Sequence, residues 1–428
     1  MTDPTAFFRS VAADHPRCFW LDGGGAREWS GRRSIIGWLE DDDVSLTLDA
    51  GRREVREHRG GDSSVVGDDI FEVLGDRLRA GEQWFGYFGY AARTDLPARP
   101  DPHLPDAVWM RPRAVRVFEH HPVQESPSTR GLLRGSAVAT ADPRETPPRP
   151  GAREVPEAYA AAFARVQEHL HAGNSYEVNL THRLARTTDL DPVTAYLRLR
   201  DLNPAPYAGF LQHDVADARA WLLSSSPERY ALITPDRDLE TKPIKGTAPR
   251  GGTPTADEAL RDRLAGDPKN RAENLMIVDL LRNDLSMVCE VGSVEVPALM
   301  QVESYESVHQ LVSTVRGRLR DDVSTIDALR ALFPAGSMTG APKLRTMQVV
   351  EEVEATPRGA YAGAFGWISG DGPADLGVVI RSLMTDGSGT WTLGTGGGIT
   401  VKSEVFGEWE ESRWKSERLL ATLDAQDT

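Results

Sequence analysis

Short apolar runs separated by glycine-rich turns recur through the first 120 residues, and they constrain the fold more than any other feature. Cys18–Leu21 is apolar and is followed by three glycines at positions 23–25, and Trp84–Tyr90 alternates aromatic residues with glycine. Runs of this length between turn residues are typical of β-strands. Similar runs at 221–223, 230–233 and 376–380 predict that strands recur along the whole chain.

The middle of the chain changes in character. Residues 120–156 are rich in Pro, Arg, Ser and Gly, and the run 143–150 predicts a linker. Residues 157–172 then predict an amphipathic helix, because apolar side chains recur at helical spacing; they are Tyr159, Phe163, Val166 and Leu170. A chain of 428 residues is also long for one core. We therefore divide it into an N-terminal region (1–120), a linker (121–156) and a second region (157–428).

Composition excludes several classes of protein. The 49 basic and 64 acidic residues give a net charge of -15, which argues against a nucleic-acid partner but leaves room for an anionic small substrate in a cleft. Cys18 and Cys289 provide neither a disulfide framework nor a zinc spacing. The beginning of the chain lacks a signal-peptide pattern, and no apolar window is long enough to span a membrane. We expect a location in the reducing cytoplasm and no membrane partner.

Two predicted helices carry acidic residues. Asp267 is a good cap for a helix that begins at Pro268 and continues to about Asp284. Glu273 lies at the end of its apolar stripe. Carboxylates from two separate helices are the ligands that Mg²⁺ accepts. The alternative is a solvated face with pairing at a spacing of four residues, such as Lys269 with Glu273.

The second acidic helix begins near Glu408. Glu408, Glu411 and Lys415 fall on one face of this helix, and Leu419 continues that face. A carboxylate stripe that leads into an apolar face can point into a cleft.

The segment Thr241–Arg250 is locally basic. It contains Lys242, Lys245 and Arg250, and Gly246 allows a ligand to approach the backbone closely. A lysine amine attacks a substrate only when its pKa is lowered by desolvation or by a neighbouring cation. The alternative for this segment is a solvated basic loop.

Two glycine-rich stretches, 336–343 and 394–398, lack the spacing of nucleotide-binding loops. Both can present backbone N–H groups to a carboxylate. Arg381, at the end of the apolar run 376–380, could clamp a carboxylate with two hydrogen bonds. The sequence shows no Ser-His-Asp spacing, and a lone histidine such as His309 is more often structural than catalytic.

Six motifs occur in a fixed order along the second region. They are PIKGTAPRG, KNRAENLMIVDLLRNDL, SVHQLVSTVRG, LFPAGSMTGAPKLR, TGGGI and GEWEESRWK. Together they resemble the chorismate-utilising enzymes, which include anthranilate, aminodeoxychorismate, isochorismate and salicylate synthases. The resemblance is strong over residues 157–425, and weak over 10–120, where it rests on the turn Gly23–Ser30 and on Trp84–Tyr90.

The resemblance implies an α+β fold of the anthranilate synthase component I type. Large antiparallel β-sheets would face each other as a sandwich, with helices outside and the active site between the sheets. Residues 1–120 would form a component I-like region, and residues 157–428 the chorismate-binding catalytic domain.

The lysine of PIKGT distinguishes members of this family. Anthranilate synthases usually carry Ala there, whereas Lys245 resembles component I of aminodeoxychorismate synthases. In those enzymes the lysine is understood to attack carbon 2 of chorismate while the 4-hydroxyl leaves. Ammonia then attacks carbon 4 and the lysine departs, which gives 4-amino-4-deoxychorismate. The alternatives are amination at carbon 2, as in anthranilate or 2-amino-2-deoxyisochorismate synthases, and a non-catalytic relative that only binds a ligand.

The resemblance assigns further roles by motif position. The acid for the departing hydroxyl is Glu228, which needs a raised pKa to hold its proton. The ligands of Mg²⁺ are Glu273, Glu411 and, on the same helix, Glu408. The substrate contacts are Arg381, Tyr361, Thr247, Lys415 and the amides of Gly397 and Gly398. His309 and Thr339 lie in motifs that face the ring.

Glu177 departs from the family pattern. Amino-transferring members usually have Gln at this position, and members that use water have Lys. Glu177 could steer ammonium or act as a base for ammonia.

A second departure is the run Phe19–Gly23, which stands where tryptophan-binding members have Leu-Leu-Glu-Ser, so tryptophan inhibition is not expected.

The source of ammonia is inferred from the cysteines. Neither Cys18 nor Cys289 lies in the Gly-x-Cys-x-Gly turn of a glutaminase nucleophile. We therefore expect a separate glutamine amidotransferase subunit as partner. The sequence leaves open whether the product serves folate or antibiotic biosynthesis.

Overall fold

The computed structural model describes residues 3–23, 33–120, 154–305 and 308–424. Most of the predicted linker, and the turn that follows Gly23, lie outside these ranges. The division of the chain into regions 1–120 and 157–428 stays a prediction.

Within the described ranges the helices are α1 Pro4–Asp14, α2 Ile70–Arg77, α3 Glu157–His171, α4 Pro192–Leu202, α5 Pro254–Gly266, α6 Pro268–Ser286, α7 Thr325–Leu332, α8 Lys343–Val353 and α9 Val405–Leu423. The first strands are β1 Arg17–Asp22, β2 Arg33–Trp38, β3 Val44–Asp49, β4 Glu54–Arg59, β5 Asp62–Gly67, β6 Gln83–Phe88, β7 Ala107–Arg111 and β8 Val115–Glu119. The later strands are β9 Glu177–Thr187, β10 Tyr207–His213, β11 Ala220–Ser226, β12 Arg229–Ile233, β13 Asp238–Lys242, β14 Ile244–Pro249, β15 Glu295–Ser304, β16 Val308–Arg318, β17 Gly340–Ala341, β18 Ala364–Ser369, β19 Ala374–Val378, β20 Ser382–Thr385 and β21 Thr390–Ile399.

The strands form two antiparallel sheets. The nine-stranded sheet has the order β17-β9-β21-β20-β11-β10-β1-β2-β8. The twelve-stranded sheet has the order β14-β16-β13-β12-β19-β18-β6-β7-β3-β4-β5, with β15 paired to β16. Both sheets combine strands from the two sides of the predicted linker, so the first 120 residues complete the same sheets as the rest of the chain.

The two sheets face each other across an apolar core. Phe19 of β1 stacks on Phe85 of β6 with ring centroids 4.1 Å apart. A side chain at Gly209 of the nine-stranded sheet would collide with the ring of Phe365 in the other sheet. Contacts of this kind between opposite sheets define a sandwich, which confirms the predicted α+β fold.

Helices cover the outer faces of the sandwich. Helices α1, α4 and α9 pack on the nine-stranded sheet through apolar side chains that include Phe8, Tyr196 and Leu419. Helix α6 packs on β16 with Ile277 and Leu281 in the core, while α3 and α8 cover β9. None of the described helices is long and apolar enough to cross a membrane.

The elements that position the site follow the predictions closely. The amphipathic pattern at 157–172 forms α3, and Asp267 caps α6 by accepting a hydrogen bond from the Asn270 N–H. The predicted strand 376–380 ends earlier, at Val378. The reason is that the chain crosses here from β19 in one sheet to β20 in the other, with Arg381 in a left-handed conformation (φ +51°).

Candidate active site

A lysine and a glutamate meet at the end of the sandwich. Lys245 lies on β14, an edge strand of the twelve-stranded sheet, and Glu177 begins β9, near the edge of the other sheet. Lys245 Nζ donates to Glu177 Oε1 over 2.5 Å. Both side chains are shielded from solvent, with 11% and 1% of their surfaces exposed. The second carboxylate oxygen of Glu177 is also buried and accepts no hydrogen bond from the described residues.

Two glycines of β21 leave the space in which these groups lie. A Cβ atom at Gly398 would fall 2.2 Å from Glu177 Oε1 and 3.1 Å from Lys245 Nζ. A Cβ atom at Gly397 would approach the side chains of Glu408, Lys415 and Glu411 on α9. Successive residues of a strand point to opposite sides, so the lysine pair lies on one side of β21 and the acidic helix on the other, and Gly398 is the position where a side chain would collide.

The charge of Lys245 is set by its neighbours. Burial lowers the pKa of the Lys245 ammonium, but the carboxylates of Glu177, Glu273 and Glu228 outweigh this effect and raise it above its ordinary value. Lys245 is therefore an ammonium at neutral pH. It must lose a proton before it can act as a nucleophile.

Glu228 is a buried carboxyl group that can hold a proton near neutral pH. It precedes β12 and is 6% exposed. Burial raises its pKa to about 7, against the lowering effects of a hydrogen bond with Ser337 and of the Lys245 and Lys415 charges. A small pocket, with room for about one water molecule, adjoins Glu228 and is also lined by Thr241 and Ser337. Glu228 thus has the protonation behaviour that a general acid needs.

Helices α6 and α9 bring three carboxylates and two lysines together. Lys269 Nζ donates to Glu408 Oε1 over 2.7 Å and lies 3.7 Å from Glu273 Oε1. Lys415 pairs with Glu411 over 2.9 Å and donates to the carbonyl of Gly396. The spacing of four residues in the sequence predicted a pair between Lys269 and Glu273. In the structure the Lys269 ammonium lies closer to Glu408 than to Glu273.

The carboxylates of this group differ in protonation. Burial raises the pKa of Glu273 to about 7, although Lys245 and Lys269 act in the opposite direction. The Lys415 ammonium lowers the pKa of Glu411 to about 2. A further cation near Glu273 would therefore favour its ionised form at neutral pH.

The carboxylate oxygens of Glu273, Glu408 and Glu411 are donors that fit a hard divalent cation. Glu273 Oε1 is buried and accepts no hydrogen bond from the described residues, and carboxylate oxygens are the donors that Mg²⁺ prefers. However, no three acidic, histidine or cysteine side chains of the described residues form a ready metal cluster. The Lys269 ammonium occupies part of the space between Glu273 and Glu408, so it would have to give way.

Arg381 and Tyr361 lie near the same region. The Arg381 guanidinium stacks over the Trp414 ring of α9, 5.5 Å from its centroid. Burial, together with the charge of Arg418, lowers the pKa of Arg381 to about 10. The ring of Tyr361 occupies the space that a side chain at Gly394 would need. Arg381 is thus a partly desolvated cation close to α9.

Three predicted site residues bond, in the part of the chain that the structure describes, to groups other than Lys245 and Glu177. His309 Nδ1 lies 2.8 Å from Ser304 Oγ, and its Nε2 lies 3.0 Å from Asp257 Oδ1. These contacts tie β16 to α5. Thr247 pairs with Gln310 in the sheet, and the buried Thr339 donates to the Gly336 carbonyl. Their predicted substrate contacts stay predictions.

Lys269 is the site residue whose role the sequence did not reveal. The sequence shows that Lys269 lies four residues before Glu273. Its contact with Glu408 joins positions that are 139 residues apart. Only the approach of α6 to α9 in the fold creates this contact.

Both cysteines of the chain lie away from this site. Burial raises the pKa of the Cys18 thiol strongly, and that of the Cys289 thiol to about 11. Neither thiol has the lowered pKa of a reactive nucleophile.

Comparison with known proteins defines the family. The model of the chorismate binding enzyme family matches residues 17–421, and the chain belongs to this family. The aminodeoxychorismate synthase of Streptomyces pristinaespiralis is 38% identical over 98% of this chain and 64% of its own length. Aminodeoxychorismate synthase component 1 of Klebsiella aerogenes is 43% identical over 63% of this chain and 58% of its own length. The chain thus spans less than two thirds of the length of these relatives.

A solved structure supports the fold and the family. The crystal structure of anthranilate synthase component I from Streptococcus pneumoniae matches with a TM-score of 0.71 and 25% identity. The match covers 90% of this chain and 92% of that protein. The sandwich with helices outside is therefore shared with an enzyme of the same family.

The Lys269–Glu408 contact gives a test of stability. Replacing Lys269 by Met leaves the buried Glu408 carboxylate without its ammonium partner. Since Lys269 is 41% exposed, we expect a loss of only about 1–3 kcal/mol in the free energy of unfolding. Adding Glu408→Gln should recover most of the loss, because the unpaired charge is removed. Chemical denaturation measures both changes.

Lys402→Met is the matched control, because Lys402 is exposed and its loss changes the net charge equally. An unchanged stability of Lys269→Met, or no recovery in the double variant, would contradict this view of the contact.

Glu228 gives a test of pH dependence. Its folded pKa of about 7 lies above the ordinary value of 4.5, so the folded state binds the proton more tightly than the unfolded state. Glu228 should therefore contribute a loss of stability as pH rises from 4.5 to 7, of roughly 3 kcal/mol at about 1.4 kcal/mol per pH unit. Glu228→Gln should lack this loss. The difference between the two unfolding free energies should therefore grow with pH and level off above 7.

Urea denaturation at several pH values measures this difference, with the exposed Glu258→Gln as control. A difference that is independent of pH would show that the Glu228 pKa is not raised.

Proposed function

We propose that the protein is component I of an aminodeoxychorismate synthase. It would aminate chorismate at carbon 4 with ammonia and release 4-amino-4-deoxychorismate. The observation that carries this proposal is the position of the Lys245 amine, which is buried between the two sheets beside Gly398 and within the influence of three carboxylates. The long relatives named aminodeoxychorismate synthase support the same activity.

Lys245 would act as a covalent nucleophile. Its Nζ attacks carbon 2 of chorismate, both ring double bonds shift by one position, and the bond from carbon 4 to the hydroxyl breaks. Ammonia then attacks carbon 4 and the bond to Nζ breaks. Two allylic displacements replace one difficult substitution, which is the usual advantage of covalent catalysis.

Glu228 would supply the proton for the departing hydroxyl. A pKa of about 7 keeps a large fraction of Glu228 protonated at neutral pH, and general acids contribute most when their pKa lies near the working pH. In the second displacement the new ammonium group at carbon 4 returns this proton. The carboxyl group is then ready for the next turnover.

Chorismate is a dicarboxylate, and cationic groups of the site would hold it. Arg381 is half-buried beside Trp414 and suits one carboxylate. Glu273, Glu408 and Glu411 would hold Mg²⁺, which would neutralise the other carboxylate. Lys415 orders Glu411 through their 2.9 Å contact. Thr247, Tyr361 and the Gly397 and Gly398 amides stay candidate contacts of the substrate, and His309 and Thr339 stay candidates for positions that face the ring.

Ammonia would come from a separate glutamine amidotransferase subunit. Neither Cys18 nor Cys289 has a reactive thiol, so the chain has no cysteine suited to hydrolyse glutamine. The name component 1 of the Klebsiella aerogenes relative agrees with this division of labour.

The second candidate is amination at carbon 2. The structural match to an anthranilate synthase component I favours it, because the fold alone serves both reactions. Lys245 argues against it. An amine that attacks carbon 2 itself occupies the position that ammonia would need for that product.

The test is the identity of the product. With chorismate, Mg²⁺ and an ammonium salt, the native chain should form 4-amino-4-deoxychorismate, and Lys245→Ala should lose at least about a hundredfold in rate, as expected for a nucleophile. Nuclear magnetic resonance and mass spectrometry identify the product. Lys402→Ala, which removes an exposed lysine, is the control.

Formation of anthranilate or 2-amino-2-deoxyisochorismate by the native chain would exclude the proposal. A full rate in Lys245→Ala would exclude the covalent route alone.

A further inference from the structure

The contact between Lys245 and Glu177 has a chemical consequence for the nucleophile. Among the described residues, Glu177 is the one whose atom accepts a hydrogen bond from Lys245 Nζ, over 2.5 Å. Glu273 and Glu228 act on the ammonium through their charge. A lysine that attacks carbon must first lose a proton, because the ammonium form has no free electron pair.

Glu177 is enclosed beside Lys245 and shielded from solvent. The side chain is 1% exposed, and its Oε2 atom is buried without a hydrogen-bond donor among the described residues. Glu177 Oε1 therefore lies in direct contact with the nitrogen that must lose a proton. Glu228 cannot take the lysine proton while it holds its own proton for the leaving hydroxyl.

We propose that Glu177 is the general base for Lys245 and accepts its proton directly as the bond from Nζ to carbon 2 forms. This inference rests on the proposed function and names the residue that activates its nucleophile. Glu177 touches the reacting nitrogen, so it is a catalytic residue. The sequence suggested Glu177 as a base for ammonia, whereas the geometry assigns its proton transfer to the lysine.

The protons balance over the cycle. Glu177 takes one proton from the Lys245 ammonium, Nζ bonds to carbon 2, and the hydroxyl leaves carbon 4 as water with the proton of Glu228. Ammonia then bonds to carbon 4, and the electron pair of the breaking bond to carbon 2 returns to Nζ. Glu177 gives its proton back to Lys245, and the new ammonium group reprotonates Glu228. Chorismate and ammonia thus yield the amine and water.

The test measures how fast the covalent adduct between Lys245 and chorismate forms when ammonia is withheld. Glu177→Gln keeps a hydrogen-bond acceptor at the same place but cannot take the proton. Adduct formation, followed by rapid quenching and intact-protein mass spectrometry, should slow about a hundredfold at neutral pH, within the range for loss of a general base. In Glu177→Gln the rate of adduct formation should rise about tenfold per pH unit, because a base from the solvent must now remove the proton of the Lys245 ammonium. The native rate should change little over the same range.

The neighbouring Lys242–Glu303 pair provides the matched control. Its contact is 2.8 Å, and Glu303→Gln removes the same charge from a lysine partner outside the proposed mechanism. This variant should keep the native rate and pH profile. Glu177→Asp, which retains a carboxylate, should lose less than Glu177→Gln and stay nearly independent of pH, and circular dichroism checks that each variant is folded.

The outcomes separate the two proposals. An unchanged rate and pH profile in Glu177→Gln, with a normal adduct in the native chain, would overturn the role of Glu177 alone. Absence of both the adduct and the 4-amino product in the native chain would overturn the proposed function, and the role of Glu177 with it.

Discussion

The ion pair between Lys245 and Glu177 is the interaction on which the site depends. It joins β14 of one sheet to β9 of the other, so its geometry exists only when the sandwich is closed at this end. The pair also determines the charge state of the lysine, because the carboxylates around it outweigh the effect of burial on its pKa. A buried pair is costly to break on one side, which keeps both groups in place before a substrate arrives.

The rest of the fold serves to place charged groups around this pair. Gly398 lacks the side chain that would collide with the Lys245–Glu177 pair. Helices α6 and α9 approach each other closely enough for one lysine to contact carboxylates of both. The chain crosses from β19 to β20 just before Arg381, whose guanidinium stacks over Trp414 of α9. Positive and negative groups thus interact around the Lys245–Glu177 pair.

Local features of the site were predictable from the sequence, and contacts between distant segments were not. Apolar periodicity predicted α3, and the Asp267-Pro268 pair predicted the start of α6, because both signals act within a few residues. Six ordered motifs indicated the family and the sandwich, which the structure and the family match confirm. The early end of β19 was missed, since the run stays apolar through Ile380 while the chain crosses to the other sheet. The contact of Lys269 with Glu408 was missed because it depends on how two helices pack.

The central claim is that Lys245 forms a covalent bond to the substrate. The most direct measurement is mass spectrometry of the native chain after incubation with chorismate and Mg²⁺ in the absence of ammonia, followed by peptide mapping. The account predicts a mass increase equal to chorismate minus water, located on the peptide that contains Lys245 and lost when ammonia is added. A chain that makes the 4-amino product with ammonia but never carries this mass on Lys245 would contradict it.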